Sequence, residues 1–309
     1  ARPRAPVIFA QDAIGVIPES HPFFAGHFQH YRSHPVCVEA LEPTDLIFAV
    51  GMRAGTAEMA ELTQRAPERN LVLVGFDDAA DGRYQGEDQR VADPGLFLAA
   101  LLERLGSYRR PPDEALTKRM AETKAVLRGS IARQGAPHAS DKPIYPGVLM
   151  DAMNAVLDDR AVVASDVGNC QMWARTYRRI ATPESFMQSG VWNAMSYGLP
   201  TALVAKMEFP DRDVVALAGD GAFLMTSGDL PTAAEYGANI LMVILNDGAF
   251  GQTFMQQTNI YGHTYGTTFH SPHFADMAKA CGAEGIRVSD PADVESALRQ
   301  GLAATKHRP

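Results

Sequence analysis

Ala216-Leu-Ala-Gly-Asp-Gly-Ala-Phe223 and Asn239-Ile-Leu-Met-Val-Ile-Leu-Asn-Asp-Gly248 decide how this sequence folds. In each, a short apolar run stops abruptly at glycine and at acidic or amide residues. Such runs, bounded by turn residues, read as buried strands of a parallel sheet. In parallel α/β sheets, ligands bind at the carboxyl ends of strands. If the two runs are neighbours, Asp220 and Asn246 meet there. Their residue types suit Mg²⁺ held against a diphosphate, because Mg²⁺ takes six oxygens and shares them between few protein groups and phosphate. Asp220 offers a carboxylate, Asn246 an amide oxygen and Gly248 a backbone carbonyl. Gly219 and Gly221 carry no Cβ to hold backbone away from a phosphate, and free N–H groups after Gly221 would favour an anion. Either half alone is an ordinary turn or hairpin signal; the pairing, each half behind an apolar strand, carries the cofactor reading.

Outward from this pair, apolar runs alternate with amphipathic stretches along the chain, the pattern of α/β domains with parallel sheets flanked by helices. On the N-terminal side, residues 7–10, 46–50 and 71–74 read as strands, and 56–65 and 94–105 as helices. Asp93 is placed to cap the second of these helices and Gly106 to stop it. Over residues 107–146 prolines flank one charged helical piece, 113–134, and the whole reads as an interdomain connection. A second α/β pattern follows. Helices are expected over 148–157, 195–206, 230–236, 274–281 and 293–305, and strands over 161–165, 214–218, 240–245 and 286–288. The expected division is a partial, Rossmann-related first domain over 1–106, a linker over 107–145 and a second domain over 146–309.

Composition bounds the function. With 309 residues, 46% hydrophobic and 21% charged, the chain can bury two cores. A formal net charge of -8 argues against nucleic acid as the main partner. Cys37, Cys170 and Cys281 form no C-x-x-C pair, which fits a reducing, cytoplasmic setting without a disulfide framework. The apolar runs are strand-sized, so no membrane span is expected. Nor does the stretch from Ala1 to Phe9 offer the apolar core of a signal peptide.

Gly219-Asp-Gly221, then twenty-four residues, then Asn246 resembles the thiamine-diphosphate motif of the acetolactate synthase and 2-oxo acid decarboxylase superfamily. Three further segments resemble that family in order. Asp166-Val-Gly-Asn-Cys-Gln-Met-Trp173 is similar to its diphosphate-side loop. Ser189-Gly-Val-Trp-Asn-Ala-Met-Ser-Tyr-Gly-Leu-Pro200 is similar to its pyrimidine-contacting segment, and Asn246-Asp-Gly-Ala-Phe-Gly251 to its Mg²⁺ loop. Residues 5–106 resemble the family's middle domain, with Ala49-Val-Gly-Met-Arg53 at its strand-then-arginine segment.

The resemblance implies roles. Asp220, Asn246 and the Gly248 carbonyl would hold Mg²⁺. Val167, Gly168, Asn169, Cys170, Gly219, Gly221 and Ala222 would border the diphosphate, and Ala249, Phe250 and Gly251 would continue the loop that closes over the ion. Met195 would be the apolar wedge that bends the cofactor, with the Asn193 backbone accepting a hydrogen bond from its amino group. The bond-breaking chemistry would belong to thiamine diphosphate itself. The substrate would be a 2-oxo acid, decarboxylated or joined to a second carbonyl. The alternatives are a thiamine-dependent acyl-CoA lyase of the oxalyl-CoA decarboxylase type, with a nucleotide near Arg53, and a non-catalytic nucleotide-binding module.

Some features depart from the family. Asn193 stands where glycine is common. Gln252-Thr-Phe-Met-Gln-Gln257 has no tryptophan, which acetolactate synthases carry after the Mg²⁺ loop, and the acidic run of flavin-binding relatives does not follow Arg53, which weighs against FAD. The catalytic glutamate of the family belongs to a pyrimidine-binding domain not found in this sequence. It is expected from the rest of a longer chain of roughly 500 to 600 residues, or from a partner subunit or second copy in an oligomer. This chain alone is therefore expected to turn over no substrate. His21, His27, His30 and His34 match no standard zinc spacing and read as solvated or substrate-side loop residues. Cys170 reads as a small packed residue without an activating base. Trp173 and Trp192 read as core or interface, and Glu208 and Glu235 as helix-face charges.

Overall fold

The computed structural model describes residues 5–10, 13–27, 35–52, 70–76, 87–135, 140–182, 184–190 and 192–306. The chain divides into two compact units, one of residues 1–14 and 20–127, the other of 15–19 and 128–309.

In the first unit, β1 (Val7–Phe9) pairs in parallel with β2 (Phe24–His27), and α1 (Pro35–Leu41) follows. Then β3 (Leu46–Val50), β4 (Asn70–Gly75) and β5 (Glu87–Val91) form a parallel sheet in that order. Apolar side chains of the two longer runs make its core, where Leu41, Ala49, Leu71 and Leu73 are buried together. Strand β5 escapes sequence reading because Glu-Asp-Gln-Arg-Val has no apolar run; its register with β4, Leu71 opposite Glu87, makes it a strand. Helix α2 (Pro94–Leu105) is capped as its sequence predicts. The Asp93 carboxylate accepts the Leu96 N–H at 2.8 Å, and Gly106 leaves the helix at φ 50°. Helix α3 (Glu114–Gly135) fills much of the segment expected as a linker, and its Leu116 and Met120 join Ala25, Val36 and Ala40 in a second buried cluster. The helix predicted over 56–65 and Arg53 lie outside the described residues.

The second unit opens with α4 (Pro146–Val156). In chain order there follow β6 (Val162–Ser165), α5 (Asn169–Tyr177), β7 (Phe186–Gln188), α6 (Gly198–Glu208), β8 (Val214–Gly219), α7 (Asp220–Thr226), α8 (Asp229–Glu235), β9 (Leu241–Leu245), α9 (Gly251–Tyr261), α10 (Phe274–Ala280) and α11 (Val294–Ala304). The sheet is parallel, in the order β7-β6-β8-β9. Alternate residues of β6 and β8 serve its two faces. On one face Val162, Ala164, Val214 and Ala216 meet Ala202 and Ala205 of α6, small residues on both sides that let helix and sheet approach closely. Near the carboxyl ends, Ala218, Phe223, Leu199 and Leu230 form a further buried cluster, which seats α7 beside the end of β8. Helix α4 packs on α5 and α11.

Three expectations for this unit are corrected. The helix placed at 195–206 begins at Gly198 instead, because Ser196 lies in the left-handed region at φ 76° and belongs to a turn. Pro200 then falls in the first turn, where no intrahelical N–H bond is lost. Strand β9 is half-buried along its length rather than fully buried, since it is the edge of the described sheet. Residues 286–288 form no strand; Arg287 there turns its guanidinium to His273 Nδ1 at 3.3 Å.

Leu217 is fully buried in the central strand β8. Leu217→Ala is expected to lower the unfolding free energy by about 2–5 kcal/mol, read from denaturant titration of the purified chain.

Candidate cofactor site

Strands β8 and β9 run in parallel with Gly219 opposite Leu245, so the next residue of each, Asp220 and Asn246, leaves adjacent strand ends. Asp220 is fully buried. Its Oδ1 accepts the Gly221 N–H at 2.8 Å. Its Oδ2 accepts two donors, the Gly248 N–H at 2.8 Å and the Ser271 hydroxyl at 2.7 Å. The aspartate and the loop after the asparagine are thus joined directly, although twenty-eight positions separate Asp220 from Gly248. Beside them the Asp247 carboxyl is held above its ordinary range, first by burial and then by the Asp220 charge. The Asp220 charge thus opposes ionisation of Asp247, and a divalent cation would relieve that repulsion. An acidic pair, an amide and a backbone carbonyl form an all-oxygen donor set of the kind Mg²⁺ takes.

The rest of the corner comes from the end of β6. Asp166 is buried, and its carboxylate gathers backbone from two segments: Oδ1 accepts Val167 N–H and Ser196 N–H, each at 2.8 Å, and Oδ2 accepts Gly198 N–H at 2.9 Å. Burial pushes this carboxyl up while those N–H groups pull it back. A Cβ on Gly198 would stand 3.2 Å from Asp166, so the helix start is glycine where it touches the carboxylate. Asp166 therefore ties the loop Val167-Gly168-Asn169 to the turn carrying Met195. Within that turn Asn193 is left-handed at φ 43°. Asparagine is among the residues that visit this region most readily, so the backbone expected of glycine is kept. Gly168 is also left-handed, at φ 126°, and a Cβ there or on Gly219 would meet nothing within 4 Å, as open space for a ligand requires.

Val167, Gly168, Asn169, Cys170, Asn193, Met195, Gly219, Asp220, Gly221, Ala222, Asn246, Ala249, Phe250 and Gly251 all line one cavity. Gly248 is not among them; its N–H is on Asp220 and its carbonyl accepts Phe269 N–H at 2.9 Å. That carbonyl keeps a second lone pair for a cation. Gly221 has a packing role beyond phosphate access, since its Cβ would lie 2.6 Å from the Phe250 ring and 3.2 Å from that of Phe269. The two rings meet at 5.0 Å between centroids, tilted by 50°.

Other candidates resolve differently. Cys170 is buried, its thiol donates to the Asp166 carbonyl at 3.2 Å, and burial pushes it up to about 12, so it is no nucleophile at neutral pH. Trp173 packs between Tyr145 and Tyr177, at 5.1 and 5.0 Å, whereas Trp192 is 91% exposed and belongs to no core. Glu208 and Glu235 are exposed at helix ends. His27 is buried, His21 Nδ1 accepts the Phe23 N–H, and His30 and His34 lie outside the described residues. Among the described residues, no three His, Cys, Asp or Glu side chains cluster as a metal site, and no helix is long and apolar enough to cross a membrane. Sequence reasoning missed two residues. Asp166 was visible only as part of a motif, and Ser271, fifty-one positions from Asp220, gave no local signal.

Two family profiles match the chain. That of the thiamine pyrophosphate enzyme C-terminal TPP binding domain covers residues 166–309, starting at the Asp166 loop, and that of the central domain covers residues 1–101. The chain belongs to the thiamine-diphosphate-dependent enzyme superfamily. Among curated relatives in this superfamily, the acetolactate synthase large subunit of Corynebacterium glutamicum is 29% identical over 304 residues, 96% of this chain and 48% of its own length. The acetolactate synthase of Mycobacterium leprae is 29% identical over 305 residues, again 96% and 48%. The acetolactate synthase isozyme 3 large subunit of Escherichia coli is 28% identical over 303 residues, 96% and 52%. The chain thus spans about half the length of these relatives.

Cys37 and Cys170 are buried and Cys281 is partly exposed. Iodoacetamide on the native chain at neutral pH is expected to label Cys281 alone, and all three cysteines after unfolding, read by peptide mass.

Proposed function

We propose that this chain binds thiamine diphosphate through Mg²⁺ and forms the diphosphate side of an active site that decarboxylates a 2-oxo acid or joins the product to a second carbonyl, in the manner of acetolactate synthase. The observation that carries this reading is the buried Asp220 carboxylate, at a strand end in register with Asn246 and bonded to the Gly248 N–H. The names of the relatives support the reaction class. When bound, thiamine diphosphate supplies the nucleophilic carbon and the electron sink.

The chain's own residues then bind and orient. Asp220, Asn246 and the Gly248 carbonyl would hold the cation. The backbone of Val167, Gly168 and Asn169 on one side, and of Gly221 and Ala222 on the other, would border the diphosphate. The open space at Gly168 and Gly219 lets backbone approach it there. Met195 and Asn193, fixed through Asp166, would set the position of the pyrimidine end. The Phe250 and Phe269 rings, packed against Gly221, would add apolar surroundings beside the ion. Dry surroundings strengthen each electrostatic contact within them. The protonating glutamate would come from a pyrimidine-binding domain, in a longer chain or on a partner. Gln252-Thr-Phe-Met-Gln-Gln257, with no tryptophan, would shape a second-substrate pocket unlike that of a strict acetolactate synthase.

Calorimetry with thiamine diphosphate tests the reading. Binding is expected with Mg²⁺ and not with EDTA, and Asp220→Ala should weaken it at least about a hundredfold, roughly the 2.7 kcal/mol that two decades represent. Unchanged affinity in the variant would overturn the assignment.

A further inference from the structure

Residues 248–271 form an excursion after β9 that contains α9, and its returning end pairs antiparallel with its own beginning. Phe250 N–H donates to the Thr267 carbonyl at 2.8 Å, Phe269 N–H donates to the Gly248 carbonyl at 2.9 Å, and Ala249 pairs with Thr268 between them. Both ends then reach one oxygen. The Gly248 N–H, at the start, and the Ser271 hydroxyl, at the finish, donate to Oδ2 of Asp220 at 2.8 and 2.7 Å.

A carboxylate has about four lone-pair sites. On Asp220, Oδ2 takes these two donors, while Oδ1 accepts the Gly221 N–H and the Asp247 side chain also bonds to the carboxylate. With both lone pairs of Oδ2 engaged, a metal has to approach through Oδ1. A carboxylate fixed by two donors on one oxygen cannot rotate to exchange its oxygens without losing both bonds. Remove the hydroxyl, and Oδ2 regains an empty site while one end of the excursion is released.

We propose that Ser271 is a positioning residue of the cation site. Its hydroxyl locks the Asp220 carboxylate so that Oδ1 is presented to the metal, and it fastens the returning end of the excursion to the same group. Cation binding and closure of residues 248–271 are coupled through one carboxylate. This rests on the metal reading of Asp220 given above, and goes beyond it in assigning a residue outside every motif of the sequence.

The experiment measures Mn²⁺ binding to the whole chain in the presence of thiamine diphosphate, counting free ion by electron paramagnetic resonance, with metal-free melting as a check on folding. Hydrogen exchange over residues 263–270 is followed with and without Mn²⁺. Partners that orient a metal ligand typically contribute ten- to a hundredfold in affinity. Ser271→Ala should thus weaken Mn²⁺ binding by about tenfold or more and abolish the metal-induced protection of 263–270. Ser271→Thr, which keeps the hydroxyl, should restore both. Should the alanine variant melt before it can be measured, Ser271→Cys, of similar size but a weak donor, decides in its place, with the same loss expected. Asp220→Ala separates the two readings. If it abolishes Mn²⁺ binding while the Ser271 variants bind like the parent, the positioning role is refuted and the metal site stands. If Asp220→Ala binds Mn²⁺ unchanged, the metal site itself is refuted, and the positioning role with it.

Discussion

A carboxylate stripped of water at the end of a central strand governs the second unit of this protein. Burying an ionised group without compensation is costly, and Asp220 offsets that cost with two backbone N–H donors and one hydroxyl. Those donors come from the helix that starts there, from the loop after β9 and from the returning chain at Ser271. One side chain thus fixes where three pieces of backbone run. The Asp247 carboxyl beside it is pushed up by burial and by the Asp220 charge, and a divalent ion would offset the repulsion between the two.

Asp166 repeats the device at the next strand. It too is buried at the end of a strand, and it too collects N–H groups from backbone distant in sequence, here those of Ser196 and Gly198. The two aspartates stand after β6 and β8, which pair directly in the sheet. The chain thus builds its cavity wall by drawing loops onto two carboxylates held by the most rigid part of the core. This is economical of sequence: each aspartate follows an apolar strand, and glycines occur where backbone must come within reach of the carboxylate or of an aromatic ring. It also explains why left-handed residues collect at Asn193 and Ser196, in the turn that has to aim its N–H groups at Asp166.

The layers behind the cavity answer a simpler demand. Val162, Ala164, Val214 and Ala216 share one face of β6 and β8, and that face accepts Ala202 and Ala205 of α6. Such packing keeps the strand ends in register to within a hydrogen bond, and a cation shared between Asp220 and Asn246 needs that register.

Apolar runs ending in Gly-Asp-Gly and Asn-Asp-Gly were enough to indicate a parallel α/β protein and to set Asp220 and Asn246 at strand ends, because strand burial and turn chemistry are local properties; the Val167-Gly168-Asn169 loop, Asn193 and Met195 came only from the family resemblance. The N-cap at Asp93 and the stop at Gly106 were legible for the same reason. Strand β5 was not, since a polar edge strand is defined by the neighbour it pairs with. Nor was the true start of α6, because a carboxylate thirty-two positions away holds the Gly198 N–H and sets where the helix begins. Only the tertiary structure could decide that Gly221 makes room for two phenylalanine rings, that Asn193 preserves a left-handed turn, and that Ser271 closes on Asp220. The first and the last are contacts between residues far apart along the chain, and the packing that brings them together leaves no periodicity in the sequence.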